Sequence, residues 1–348
     1  MKTSHKITRI MLFLLPLLLI GCGQTANAPE TTYFWSATPT ATPTESPVPT
    51  PTPEPITAPD GCYTFAWMSD TQYYSRSFPD IFHEMTQFLA SERERLNLVY
   101  VIHTGDLVND YDSTYQWQIA DHAMQQLGSI PYGCLAGNHD VHGTRAKYEN
   151  FQKYFGDARF ENAAYRLASY ENNRGHADGI EAGDTSYLFV YLGYPLDEAS
   201  MKWANGVFAA YPDRIGILCL HDYFGSDVVR TEQGQLAYDN IVTKNDNLYF
   251  VLCGHRYNSA CVAQEIPKAD GTMRTVYQMI VNYQASGKEG GLGYMRFLQV
   301  DEKAGEIRMY NYSPLLSDYR YYDEPEHRSE NYAFDTAGEQ QTIAIPWK

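Results

Sequence analysis

Asp70, Gln72, Asp106, Asn138, His221 and His255 offer two carboxylates, two amides and two imidazoles in one chain. That mix suits a centre for two divalent cations, in which one carboxylate bridges and the other groups complete the coordination. Two cations roughly 3.5–4 Å apart can clamp the attacking and leaving oxygens of a displacement at phosphorus. His139 directly follows Asn138, so it projects beside such a centre rather than into it. This placing suits a proton donor to a leaving group, or a cation that stabilises a phosphoryl transition state. Asp140 either orients His139 or caps the segment that follows.

Each of these residues closes an apolar run. Phe65-Ala66-Trp67-Met68 leads into Ser69-Asp70-Thr71-Gln72, and Leu98 to Ile102 leads into His103-Thr104-Gly105-Asp106. Cys134-Leu135-Ala136 leads into Gly137-Asn138-His139-Asp140, Ile217 to Leu220 into His221, and Tyr249 to Cys253 into Gly254-His255. Short apolar runs bounded by Gly and polar residues read as buried strands. Ligands of open α/β sheets collect at the carboxyl ends of strands, so five such endings predict one polar site along one sheet edge. Taken singly, Gly105-Asp106 reads as a turn, Asn138-His139-Asp140 as a helix-entry turn, and His221 as a packed core histidine. The joint pattern overrides those readings.

The intervening segments predict the scaffold. Ser77-Phe78-Pro79-Asp80 predicts a helix start with Ser77 as cap, followed by Ile81, Phe82, Met85, Phe88 and Leu89 at helical spacing. Further helices are predicted over Thr114 to Leu127, Glu198 to Ala210 and Gln233 to Val242. Strands are predicted over Ser186 to Leu192, Thr275 to Val281, Tyr294 to Val300 and Glu306 to Tyr312. Alternation followed by a strand-rich close predicts an α/β domain with two sheets face to face and helices outside. After Arg320 the chain is polar and Tyr-rich, with a possible edge strand at Thr342 to Pro346.

A net charge of −16 argues against nucleic acid or anionic lipid held by bulk electrostatics. It still admits a phosphorylated substrate, because a bound cation reverses the local field. Lys2, Lys6 and Arg9 precede an apolar stretch from Ile10 to Ile20 that is too short to span a bilayer. The stretch ends in Leu19-Ile20-Gly21-Cys22, which resembles a bacterial lipobox; the alternative is an ordinary signal peptide with a chance Cys. The expected organisation is a leader at 1–21, a Thr/Pro-rich linker at 22–60 starting from lipidated Cys22, and a catalytic domain at 61–348. The protein is thereby expected on a bacterial membrane, held by that lipid and facing outward. Pro29 to Pro59 holds 9 of the 18 prolines, a composition that favours extended polyproline II over a core. Cys62, Cys134, Cys219, Cys253 and Cys261 remain after Cys22. Their odd number makes a poor disulfide framework, although Cys253 and Cys261 would pair if they lay on neighbouring strands.

Asp-x-Gln, Gly-Asp, Gly-Asn-His-Asp, a later His and Gly-His-Arg-Tyr, in this order, resemble the calcineurin-like metallophosphoesterases. The resemblance covers about Thr64 to Tyr319. Asp70-Thr71-Gln72 with Tyr73-Tyr74-Ser75, Asn282-Tyr283-Gln284 and Tyr312-Ser313-Pro314-Leu315 look similar to a bacterial secreted branch. It implies a two-sheet β-sandwich flanked by helices, a four-layer αββα architecture, and hydrolysis of phosphate esters by a hydroxide held between two metals. It also implies that Asp106 bridges the metals, that Asp70 and Gln72 serve the first, and that Asn138, His221 and His255 serve the second. His139 is then the catalytic histidine. The implied substrate is a phosphorylated small molecule or a surface polymer.

Three positions depart from the pattern. Gln72 stands where many members have His, Tyr257 replaces the usual second His, and Asn109 stands where some members place an Asp that orients the catalytic His. The first two fall on one metal and leave it an oxygen-rich site suited to Mn, Mg or Ca, whereas the His-rich site suits Mn, Fe or Zn. A binding module that keeps the fold with a degraded first metal site is the alternative to a hydrolase. His103 reads equally as a support for a ligand and as a packed strand histidine. His142, Arg145, Tyr223 and Arg256 either line the pocket or sit in solvent, and Gly290-Gly291-Leu292-Gly293 reads as a loop near the cleft.

Overall fold

Tyr63, Phe65 and Trp67 face one way along the first strand, β1 (Tyr63–Met68), while Ala66 and Met68 face the other. This period of two, repeated in strand after strand, generates three cores rather than one. A computed structural model of the chain describes residues 57–284, 289–321 and 340–348. The expected leader, Cys22 and nearly all of the linker lie outside the described residues, as does the segment 322–339 of the tail.

After β1 come α1 (Gln72–Ser77), α2 (Pro79–Ser91), β2 (Leu98–His103), α3 (Thr114–Gln125), β3 (Tyr132–Cys134) and α4 (Glu149–Phe155). The chain continues through β4 (Arg166–Tyr170), β5 (Gly175–Ala182), β6 (Thr185–Leu192), α5 (Glu198–Ala210), β7 (Ile215–Leu220) and α6 (Glu232–Asn240). Then follow β8 (Leu248–Cys253), β9 (Asn258–Pro267), β10 (Met273–Asn282), β11 (Met295–Asp301), β12 (Glu306–Tyr312) and β13 (Gln340–Ala344). One mixed sheet has the order β13-β12-β11-β1-β2-β3 and the other β4-β5-β6-β7-β8-β10-β9. A core with Phe65, Trp67, Tyr100, Phe189, Leu252 and Met279 lies between the sheets. A second, with Phe82, Met85, Val101, Trp117 and Phe151, joins the first sheet to α1–α4, and a third, with Leu188, Val207, Phe208, Leu218 and Ala237, joins the other sheet to α5 and α6. This is the expected αββα layering.

Local signals set the helices well. Ser113 caps α3 by accepting from the Gln116 amide, and Asp197 with Ser200 forms a capping box at α5. The helix expected to be capped by Ser77 instead starts with Pro79 at its first position, preceded by Phe78. Pro has no N–H to leave unsatisfied there, and Ser77 closes the separate short helix α1. The Cys253–Cys261 pairing is not formed: β10 runs between β8 and β9, and both thiols are free.

Candidate metal centre

The five strand endings do not share one sheet edge. Strands β1, β2 and β3 are parallel neighbours in the first sheet, and β7 and β8 are parallel neighbours in the second. Their carboxyl ends meet across the top of the sandwich, so each sheet supplies part of the centre. Asp70, Asp106 and His255 adopt left-handed backbone conformations, with φ of 56°, 56° and 69°. Such φ values are uncommon for residues with a Cβ and concentrate at functional sites. Close approach of the loops needs glycine. A Cβ on Gly137 would overlap the Asp106 carboxylate, and one on Gly254 would overlap Ser69 and the Asp70 carboxylate.

Donor atoms of Asp106, His221 and His255 all lie within 4.8 Å of one another. His221 donates from Nδ1 to the Thr104 carbonyl at 2.9 Å. Its Nε2 is thereby aimed at Asn138 Oδ1, 3.0 Å away, and Asp106 Oδ2, 3.3 Å away. Fixing one imidazole nitrogen so that the other faces a cation is the usual arrangement of a ligating histidine. Asp70 accepts from Ser69 Oγ at 2.6 Å and from the His255 amide at 3.0 and 3.2 Å. Gln72, the first residue of α1, donates from Nε2 to Asp106 Oδ2 at 3.2 Å and to Gln284 Oε1 at 3.4 Å. With acceptors on that side, the nitrogen must face them, and the buried Oε1 is left without a partner. A buried carbonyl oxygen without a hydrogen bond is costly, and a bound cation would satisfy it.

The charges point the same way. Asp70, Asp106 and Asp140 are all buried, at 2%, 1% and 0% exposure, and none forms an ion pair with Lys or Arg among the described residues. Burial raises Asp70 and Asp140 above the usual carboxylate range. Burial also acts to raise Asp106, but His221 and His139 together outweigh it and hold that carboxyl low. Burial works against charging His221, yet Asp106 and Asp70 raise its pKa. The pull toward positive charge at His221 comes from Asp106, which lies beside its Nε2, and from Asp70, as expected of a site that would stabilise a cation. The donors of Asp106, His221 and His255 fit a divalent metal ion, and Asp70, Gln72 and Asn138 hydrogen-bond directly to these three residues.

His139 donates from its backbone to Asp106 Oδ1 at 2.9 Å, and its ring borders a cavity of ≈ 180 Å³ shared with Gln72, Asp106, His255, Arg256 and Tyr257. Asp140 does not orient that ring. Its carboxylate accepts from the amides of Leu107, Val108 and Gly137, at 3.2, 2.9 and 2.8 Å, and lashes the β2 loop to the β3 loop. His103 is a support: its Nε2 lies 3.0 Å from Thr71 Oγ1 and its Nδ1 accepts from the Gly105 amide at 3.2 Å. Of the four further candidates, Arg256 lines the cavity. Tyr223 is buried with its hydroxyl on Gln278 Oε1, while His142 and Arg145 flank a short turn outside it. Gln284 was not legible as a site residue. It donates to the Asp70 carbonyl at 3.0 Å from far along the chain; the likeness of Asn282-Tyr283-Gln284 to the secreted branch is the one local signal, and it gives Gln284 no role at the centre. Gly290 packs on Tyr73 and Tyr74 of α1 and Gly293 faces Ile81 and Met85 of α2, while the Gly293 amide donates to the Tyr74 hydroxyl.

A family model described as calcineurin-like phosphoesterase matches residues 63–258. The chain belongs to the calcineurin-like phosphoesterase family. Uncharacterized protein YvnB of Bacillus subtilis (strain 168) is 41% identical to this phosphoesterase over 265 residues, 75% of this chain and 20% of that protein. The chain therefore spans about a fifth of that relative's length. The probable cyclic nucleotide phosphodiesterase of Colwellia psychrerythraea is 23% identical over 214 residues, 58% of this chain and 74% of that protein. Among solved structures, the purple acid phosphatase PPD1 from yellow lupin superposes with a TM-score of 0.52 at 12% identity, over 83% of this chain and 55% of that one. At that identity the likeness establishes the fold: two mixed sheets with flanking helices, as in the metallophosphoesterases.

Proposed function

We propose that this calcineurin-like phosphoesterase hydrolyses phosphate esters with two divalent cations, on the outer side of a bacterial membrane to which lipid on Cys22 anchors it. The convergence of Asp106, His221 and His255 beside a cavity that His139 lines carries the catalytic part of this reading. The basic and apolar leader ending in Cys22 supports the location. When bound, the cations supply Lewis-acid polarisation of the ester and acidify water.

The chain's own groups do the rest. His139 Nδ1 is held by the Asn109 carbonyl at 2.8 Å, so Nε2 is the nitrogen that passes a proton to the departing alkoxide oxygen. Arg256 at the cavity rim pairs with phosphoryl oxygens. Asp140 keeps the Asp106 and His139 loops in register. The oxygen-rich side takes Mn, Mg or Ca and the imidazole side Mn, Fe or Zn, so the two sites differ in affinity. The substrate is a phosphorylated small molecule or a surface polymer. The likeness to a probable cyclic nucleotide phosphodiesterase supports including phosphodiesters.

The deciding experiment measures hydrolysis of aryl phosphate monoesters, aryl phosphate diesters and a cyclic nucleotide with added Mn²⁺, for wild type, Asp106→Asn and His139→Ala. Activity lost in both variants supports the reading. Equal background rates in all three would establish instead a binding module that has kept the fold, the reading that Tyr257 in place of a second His favours.

A further inference from the structure

A row of hydrogen bonds runs from the interior of the sandwich to the Asp70 carboxylate. Trp67 Nε1 donates to Thr104 Oγ1 at 2.9 Å, Thr104 Oγ1 to Ser69 Oγ at 2.7 Å, and Ser69 Oγ to Asp70 Oδ2 at 2.6 Å. Its direction is fixed by its ends. An indole N–H only donates and a carboxylate only accepts, so both hydroxyl protons between them point toward Asp70. Trp67 and Thr104 are fully buried, so water cannot substitute for either. Thr104 also acts through its main chain, because its carbonyl accepts from His221 Nδ1 at 2.9 Å. One residue, two positions before Asp106, thus reaches both sides of the centre: Asp70 by its hydroxyl and His221 by its carbonyl.

We propose that Thr104 is a positioning residue that orients Asp70 through Ser69 and thereby sets cation affinity on the oxygen-rich side. The proposal rests on the metal-binding reading of the site. Oδ2 of Asp70 takes the Ser69 hydroxyl and the shorter His255 amide contact, while Oδ1 carries the longer one, 3.2 Å. The row therefore commits one oxygen and leaves the other to a cation. Without it the carboxylate can turn about its Cβ–Cγ bond, and cation binding must also order it. Loss of an outer partner of this kind lowers metal affinity by about 10–100-fold. The His221 contact uses the Thr104 backbone and survives any change of side chain.

Calorimetric titration of Mn²⁺ into the metal-free full chain tests this with wild type, Thr104→Val, Thr104→Ser and Ser69→Ala. Thr104→Val and Ser69→Ala are expected to weaken one of two binding steps by about 10–100-fold and to leave the other unchanged. Thr104→Ser, which keeps the hydroxyl, is expected to bind as wild type does. Unchanged binding in natively folded Thr104→Val, equal loss of both steps, or equal loss in Thr104→Ser would each overturn the proposal. Should Thr104→Val not fold, Ser69→Ala at the half-buried end of the row decides alone. A wild-type chain that takes up no Mn²⁺ would instead remove the metal reading itself, an outcome distinct from four proteins that bind Mn²⁺ alike.

Discussion

The Nδ1 atom of His139 donates to the main-chain carbonyl of Asn109 across 2.8 Å, while the Asn109 side chain turns away to Asp110 at 2.9 Å. Orientation of the ring therefore does not depend on which side chain stands at 109. An Asn where related chains carry an orienting Asp is thus compatible with a working histidine. Asn109→Ala is expected to leave turnover of an aryl phosphodiester nearly unchanged, whereas His139→Ala lowers kcat by about 10²–10⁴-fold. Steady-state kinetics of the two variants checks this. A collapse of kcat in Asn109→Ala would show that the side chain matters after all.

Gln72 keeps a buried oxygen without a hydrogen bond while its nitrogen is taken by Asp106 and Gln284. Gln72→Ala is expected to weaken one cation by about 10–100-fold, and Gln72→His to shift that site from Mg²⁺ or Mn²⁺ toward Zn²⁺. Metal content by mass spectrometry after dialysis against a mixed-metal buffer reads both. Wild type should lose one equivalent more readily than the other; two equally retained equivalents would contradict the unequal sites.

Arg256 borders the cavity and has no ion-pair partner among the described residues. As a phosphate-binding group it contributes equally to ground and transition states, so Arg256→Ala is expected to raise KM about tenfold, ~1.4 kcal/mol, with kcat held. Inhibition by inorganic phosphate should weaken in parallel. An unchanged KM would place Arg256 in solvent.

His176 of β5 stacks on Tyr191 with ring centroids 4.2 Å apart. Burial, then Arg166, push its pKa from 6.5 down to about 4. The ring is neutral at pH 7, so its 3.5 Å approach to Asp178 is not an ion pair there. The unfolded chain takes up this proton near 6.5 and the folded chain only near 4. Its contribution is complete above the unfolded value and is lost as pH falls through that window, about 2 kcal/mol of it by about pH 5. Urea unfolding of wild type and His176→Phe at about pH 7.5 and about pH 5 tests the sign. Wild type should lose more stability than the variant, which keeps the stacking but has no proton to gain; equal losses would refute the assignment.

Much of this molecule was legible locally. The alternation of Tyr63, Phe65 and Trp67 against Ala66 and Met68 is a property of the strand itself, and the α5 capping box lies within four residues. The candidate ligands were legible because each ends an apolar run. Strands β4, β5 and β9 were not, since their polar or mixed faces lack a clean period.

By itself the sequence determined which residue types stand at the strand ends, in what order, and that the flanking runs are buried. Periodicity is a local signal, and it reports which face of an element avoids water. It does not report which loop faces which, because that depends on how two sheets stack over one core. Only the tertiary structure decided that three strand ends from one sheet and two from the other share a centre. The same stacking turned Gln284 toward Asp70, aligned the Thr104 carbonyl with His221, and took Asp140 from His139 to tie two loops together. The first two contacts span 214 and 117 residues, and the chain between them leaves no trace of the meeting.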